Sequence, residues 1–264
     1  MLSVSLIITT YNWPKALYKV LQSILYQTRI PDEIIIADDG STIETTNMIQ
    51  RFKEEHSELN IIHFWQEDKG FRLSKSRNKA INLSTCDYLV LIDGDMILNE
   101  NFILDHLNNA KSGVLVSGRR IMLNEAYSSE IIHSDKIDNV SFLSSAIIKH
   151  RFLSIRNRFL SKLRSSTNTR IDGILGCNMA FFKNDAVTVN GFNEDFVGWG
   201  AEDTEFVARF VNNGFKKMKL KHLAFGYHLY HPESSKEMVE ANCNILDLTI
   251  SMKLKYCQHG LAEY

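Results

Sequence analysis

The chain has 264 residues, enough for one large α/β domain or two small ones, with the 44% hydrophobic and 23% charged content of an ordinary globular protein. Its formal net charge of −1 provides no global attraction to nucleic acid or any other polyanion. Three prolines and the absence of a Gly/Ser-rich run leave no announced linker, and four cysteines (Cys86, Cys177, Cys243, Cys257) without C-x-x-C spacing exclude a disulfide framework or a zinc site.

The N-terminal "MLSVSLIITTYN" is apolar but has no basic region or cleavage site, and no stretch reaches the roughly 18 uninterrupted apolar residues of a spanning helix. A soluble chain in a reducing, cytoplasmic compartment is expected. The run "SVSLIITT" predicts a first strand, and Pro14 stands where a helix would begin, with Leu17, Val20, Leu21, Ile24 and Leu25 as its apolar stripe. Next come "EIIIADD" (strand), "ETTNMIQRFKEE" (helix), "NIIHFWQ" (strand), "LSKSRNKAIN" (helix), "YLVLIDGD" (strand), "NENFILDHLNNA" (helix) and "GVLVSGRR" (strand). Continuous apolar strands alternating with helices predict a mostly parallel sheet covered on both faces, an α/β class. Beyond residue 120 the pattern is irregular. Residues 146–164 read as a helix with Lys149, Arg151, Arg156, Arg158, Lys162 and Arg164 and no acid, "AEDTEFVARFVNNG" as a helix ending at Gly214, and 234–258 as a C-terminal helix.

Ligands of such sheets bind outside the carboxyl ends of the strands. Thr9, Tyr11, Asp38, Asp39, Asp93 and Asp95 all fall there. In "DGD" two carboxylates stand one residue apart at the end of a hydrophobic strand. They repel unless a cation or hydrogen-bond donors lie between them. The first strand–helix turn, "TTYNWP", has no G-x-G-x-x-G, and there is no P-loop lysine motif, so neither a Rossmann dehydrogenase nor a P-loop enzyme fits.

Six pieces in order, "SLIITTYN", "IIIADDGS", "DKGFRLSKSRN", "LIDGDM", "GFNEDFVGWGAEDTEF" and "GYHLYHP", span residues 4–231. Together they resemble the inverting family-2 nucleotide-sugar glycosyltransferases that include chondroitin polymerase, and the second half is also similar to the β-1,4-galactosyltransferase type. The resemblance implies a GT-A fold, a Rossmann-like sheet flanked by helices with a smaller acceptor-side region and C-terminal helix. It implies one domain over 1–264, with 1–120 binding the nucleotide sugar and 121–264 binding the acceptor and carrying catalysis.

It also implies roles. A departing diphosphate must be neutralised, which a divalent cation does as a Lewis acid; carboxylate oxygens suit magnesium and manganese, and an imidazole tilts the choice toward manganese. Asp95 and His228 would be the ligands, with His231 a rival to His228, and Asp93 would contact the donor or reach the metal through water. Thr9 and Tyr11 would line a uracil, with Asp39, or else Asp38, accepting its N3 hydrogen and Arg77 holding base or diphosphate. Asp203 would be the general base that deprotonates the acceptor hydroxyl. Glu202 would bind an acceptor hydroxyl and Trp199 would face a sugar ring, while Gly198 and Gly200 give the loop backbone freedom. The expected activity is therefore metal-dependent, inverting transfer from a UDP-sugar to a glycan acceptor in bacterial surface polysaccharide synthesis.

Two other readings compete: a sugar nucleotidyltransferase, whose Gly-rich Arg/Lys signature after the first strand is missing, and an inactive carbohydrate-binding subunit, against which Asp95, Asp203 and His228 speak. The basic, Phe/Leu-bearing segment 146–164 adds a further expectation. It is either a helix packed on the core or a peripheral contact with an anionic membrane that presents a lipid-linked acceptor.

Overall fold

The computed structural model describes residues 2–134, 140–174, 176–232 and 235–264. The first part of the chain follows the predicted alternation: β1 (Val4–Thr10), α1 (Pro14–Leu25), β2 (Glu33–Asp38), α2 (Ile43–Glu55), β3 (Ile61–Trp65), α3 (Leu73–Leu83) and β4 (Tyr88–Asp93). There follow β5 (Met96–Leu98), α4 (Phe102–Asn108), β6 (Val114–Ser117), β7 (Arg119–Leu123), α5 (Glu125–His133) and β8 (Ile147–Lys149). The remainder comprises α6 (Arg158–Arg164), β9 (Ser166–Asn168), β10 (Asn178–Phe182), α7 (Lys183–Thr188), α8 (Glu202–Asn212), β11 (Lys216–Lys219), β12 (Phe225–His228) and α9 (Val239–Ser251).

An eight-stranded sheet has the order β3-β2-β1-β4-β10-β6-β11-β9, with β10 and β9 antiparallel to the other strands. Alternation within the apolar strands serves both faces. Leu6, Ile8, Ile34, Ile36, Val90 and Ile92 point toward α1 and α2, where Leu17, Val20, Leu21 and Phe52 complete one core. Ile7, Ile35, Leu89 and Leu91 point the other way, against Ala80 and Ile81 of α3 and Phe206 and Phe210 of α8. At about 1.5–3 kcal/mol for each large apolar side chain removed from water, these two layers hold the strand ends in fixed register.

Three expectations need correction. The predicted fifth strand breaks at Gly118: β6 joins the large sheet, whereas β7 enters a second sheet of order β5-β12-β7-β8. The predicted fourth strand ends at Asp93, and β5 restarts at Met96 in that second sheet. The single helix expected over 146–164 is instead β8, a 3₁₀ turn at Arg151–Ser154 and the short helix α6. Pairing of β8 with β7 buries Ile147, and His150 adopts a left-handed backbone at φ 65°, which ends any helix there. Of the C-terminal helix expected over 234–258, α9 forms Val239–Ser251, and Ser234 lies outside the described residues.

Candidate active site

The parallel pairing of β1 with β4 sets Thr9 beside Asp93, and the Thr9 hydroxyl donates to Asp93 Oδ1 at 3.0 Å. The chain then doubles back, the Gly94 N–H donating to the Thr9 carbonyl at 2.7 Å. A Cβ on Gly94 would stand 2.9 Å from that oxygen, so the residue between the two aspartates has to be glycine. This turn carries Asp95 out of the large sheet and into the second one.

There β5 pairs with β12 so that Met96 faces His228, and the Leu229 N–H donates to the Asp95 carbonyl at 3.0 Å. His228 Nε2 lies 3.3 Å and His231 Nε2 3.2 Å from Asp95 Oδ2, and one ligand atom from each of the three residues falls within 4.8 Å of the others. Both histidines thus reach the carboxylate that either was expected to reach alone. The Trp13 ring packs edge-on against His231, with centroids 5.9 Å apart. Burial works against charge on Asp95, but His228 and then His231 outweigh it and hold its pKa below the ordinary carboxylate value. Burial lowers the pKa of His228, and the hydrogen bond to Asp95 raises that of His231 to about 9. Among the described residues, Asp95 Oδ1 and His228 Nδ1 are buried polar atoms without a hydrogen-bond partner. An orphaned carboxylate oxygen beside two imidazoles is a donor set that suits a divalent cation of the manganese type.

Arg77, fully buried on α3, joins this corner to the acidic end of α8. Its guanidinium lies 3.5 Å from Asp93 Oδ1 and 3.3 Å from Glu202 Oε1, and 5.0 Å above the centre of the Phe192 ring. Burial raises the pKa of Glu202; Arg77 opposes the shift and the adjacent Asp203 adds to it. Asp203 accepts from the Gly176 N–H at 3.0 Å and from the Thr204 hydroxyl at 3.1 Å. The preceding loop contains three left-handed residues, Gly198 (φ 76°), Gly200 (φ 112°) and Ala201 (φ 71°), and holds Trp199 46% exposed. Trp199, Glu202, Asp203 and Val239 line a cavity of about 330 Å³.

At the ends of β1 and β2, Tyr11 is 52% exposed, and its hydroxyl donates to Asp68 at 3.0 Å, leaving the ring face free. Asp38 is committed inward, accepting from the Ser41 N–H at 2.8 Å and lying 3.2 Å from His63. Asp39 accepts from the Arg72 N–H at 2.8 Å and from the Gln66 amide, and burial raises its pKa. Both carboxylates are thus engaged at both oxygens, and both are buried, Asp38 fully and Asp39 nearly so.

Sequence reasoning missed two contributors. Arg120 on β7 bears no ion pair among the described residues, yet its charge acts on both Asp95 and His228. Nothing in "SGRR" distinguishes it from a solvated arginine. Gly176 contributes only a backbone N–H, which no side-chain motif records.

Comparison with known proteins places the chain in a family. A family model described as glycosyl transferase family 2 matches residues 5–187, and one described as the N-terminal domain of galactosyltransferase matches 157–232. The chain is 26% identical over 276 residues to chondroitin synthase of Escherichia coli, covering 96% of this chain and 38% of that protein. It spans only 23% to 38% of the length of the hyaluronan and chondroitin synthases it matches. Among solved structures, Staphylococcus aureus TarS 1–349 in complex with UDP aligns with TM-score 0.63 at 17% identity, covering 99% of this chain and 68% of that one. The Pyrobaculum calidifontis mannosyltransferase PcManGT in complex with GDP-Man and Mn²⁺ aligns with TM-score 0.61 at 17% identity, covering 87% and 57%. At these identities the likeness concerns the fold, which is GT-A.

Proposed function

The chain belongs to glycosyl transferase family 2, and from that premise we propose that it is a metal-dependent, inverting transferase moving a sugar from a UDP-sugar to a glycan acceptor. The observation that carries the reading is the continuous arrangement from Asp95, His228 and His231 through Asp93 and Arg77 to Glu202 and Asp203. One end fits a cation and a diphosphate, the other a base beside an open cavity.

Asp95, His228 and His231 would hold the cation, which when bound supplies Lewis-acid neutralisation of the leaving diphosphate. Tyr11 stacks on the uracil and Asp39 accepts its N3 hydrogen. Arg77 fixes Asp93 against the donor while keeping Glu202 in place, so one buried guanidinium orients both donor-side and acceptor-side carboxylates. Asp203, held by two donors, takes the proton from the acceptor hydroxyl as its oxygen attacks the anomeric carbon. The bond from that carbon to the diphosphate breaks on the opposite face, so an α-linked donor gives a β-glycoside. Trp199 offers its exposed face to the acceptor ring.

The acceptor in this reading is a glycan of bacterial surface polysaccharide, carried on a lipid. A screen of nucleotide sugars for diphosphate release, with and without manganese and acceptor sugars, tests the proposal. Release from a UDP-sugar, strongest with manganese and lost in chelator, is the expected result. Unchanged release in excess chelator would remove the metal role, and tighter binding of GDP than UDP in calorimetry would overturn the assignment of the base.

A further inference from the structure

Residues 139–171 contain no acidic residue. Apart from Arg170, which pairs with Asp172 at 3.0 Å, their lysines and arginines divide into two groups. Arg151 donates to the carbonyls of Phe142, Ser144 and Ile147, Arg156 forms a two-pronged bond to Asp105 at 2.7 and 3.0 Å, and Arg164 meets His222 at 3.0 Å. Arg151 thus braces the segment internally, and Arg156 and Arg164 hold it onto the body of the protein. Lys149, Arg158 and Lys162, all exposed, have no partner among the described residues.

Between those free cations stand large apolar side chains that the fold leaves uncovered. Leu143 is 83% exposed, Ile148 53%, Phe152 69%, Phe159 71% and Leu163 66%. On α6, Phe159 and Leu163 lie four residues apart on one face, as do Arg158 and Lys162 beside them. Five exposed large apolar side chains within 21 residues of chain are more than the scattered single residues of an ordinary surface. A second copy of the chain would bring like charges together across a two-fold interface, with no carboxylate in the segment to pair them. A surface that is anionic and apolar together answers both features.

We propose that residues 142–163 form a dock for an anionic phospholipid bilayer, with the five apolar side chains entering the interface and Lys149, Arg158 and Lys162 meeting lipid phosphates. The position has a consequence, which rests on the transferase reading. Lys149 pairs with Met122, and Met122 with His228, so the dock begins two strands, or roughly 10 Å, from the cluster of Asp95, His228 and His231. Docking there would hold the Asp95, His228 and His231 corner of the site close to the membrane surface. No helix among the described residues is long and apolar enough to cross the membrane.

Vesicle co-sedimentation tests the dock without any enzymatic readout. The wild-type chain should pellet with phosphatidylcholine/phosphatidylglycerol vesicles at low salt, bind pure phosphatidylcholine at least tenfold more weakly, and be released from the anionic vesicles by salt. Each cation should contribute about fivefold to binding, so Arg158→Glu with Lys162→Glu should lower affinity by more than 25-fold. Phe152→Ser with Phe159→Ser and Leu163→Ser should lower it by a similar factor. Nucleotide-sugar hydrolysis in solution should be unchanged in both variants, which also shows that they fold. Wild-type protein that stays in the supernatant with anionic vesicles at low salt would overturn the proposal. So would a dimer in solution that the apolar triple variant dissociates. Vesicle binding with no diphosphate release would leave the dock standing and sink the transferase reading alone.

Discussion

The two sheets of this protein differ in how plainly the local sequence declares their strands. In the large sheet, β1, β2 and β4 are buried along nearly their whole length, and α1 and α3 pack against strands close to them in sequence. In the second sheet, β5, β12, β7 and β8 come from four distant stretches, so Gly226 pairs with Leu98 and Met122 with Lys149. Local periodicity declares β1, β2 and β4 as strands, whereas the choice of partner in either sheet, β1 with β4 as much as β12 with β5, closes long loops whose entropy only the finished fold offsets. The candidate site lies where they meet: Asp93 ends a strand of one sheet and Asp95 precedes a strand of the other.

The sharpest way to break this comparison is to cut that junction. Asp95→Ala removes the one carboxylate that both histidines contact. Transfer should fall on the order of 10³-fold or more, the scale of losing a principal electrostatic stabiliser. Diphosphate release measured across a manganese titration checks it. Near wild-type turnover would mean that the two sheets need not cooperate in chemistry.

Asp203→Asn tests the acceptor side with the donor side intact. The amide still fills the place of the carboxylate, so donor affinity by calorimetry should hold while turnover drops about 10²- to 10⁴-fold. Equal losses in donor affinity and turnover would show that α8 serves the donor rather than the acceptor.

What was legible in the sequence follows the same division. Pro14 did open α1, and the apolar runs of β1, β2 and β4 declared themselves, because each is decided by neighbours within a few residues. The "DGD" pair alone also suits an ordinary turn, and only its place at the end of a buried strand, where two carboxylates repel unless a cation or donors lie between them, set it apart. Segment 146–164 was misread because Ile147, Ile148, Phe152, Ile155, Phe159 and Leu163 recur at helical spacing, while strand pairing at Ile147 and the left-handed turn at His150 are imposed from outside the segment. For the same reason, no spacing within "GYHLYHP" could decide between His228 and His231. A turn of backbone after β12 brings both to Asp95.

Arg77 bridges the two sides, and replacing it should cost stability as well as activity. Arg77→Met would leave Asp93 and Glu202 facing each other without a cation, at about 3–5 kcal/mol for breaking a buried ion pair. Arg77→Lys should recover part of that loss but lack the two-pronged geometry that reaches both carboxylates. Denaturant titration at pH 7 should therefore rank wild type above Lys above Met. A methionine variant as stable as wild type would mean that Glu202 and Asp93 are neutral or hydrated, and that Arg77 is no bridge.

The smallest effect concerns the joint behind the site. Asn178 of β10 donates to the carbonyls of Arg119 at 3.0 Å and Ala224 at 2.9 Å, tying the large sheet to the starts of β7 and β12. Its Oδ1 is left as the acceptor for His106 Nε2 at 2.9 Å, so the buried imidazole is neutral with its proton on Nε2. Burial lowers the His106 pKa to about 4, outweighing the Asn178 bond and nearby Asp105, which raise it. In the unfolded chain the same group titrates near 6.5, so unfolding takes up a proton between those values. The stability that depends on a neutral His106 is complete above pH 6.5, declines as pH falls toward 4, and changes no further below that. The full span is on the order of 3 kcal/mol. His106→Gln keeps an N–H for Asn178 and does not titrate, so its stability should fall less than that of wild type between pH 6.5 and 4. Urea titrations of both proteins at pH 7, 5 and 4 measure the difference. Parallel curves would show that the joint tolerates a charged imidazole.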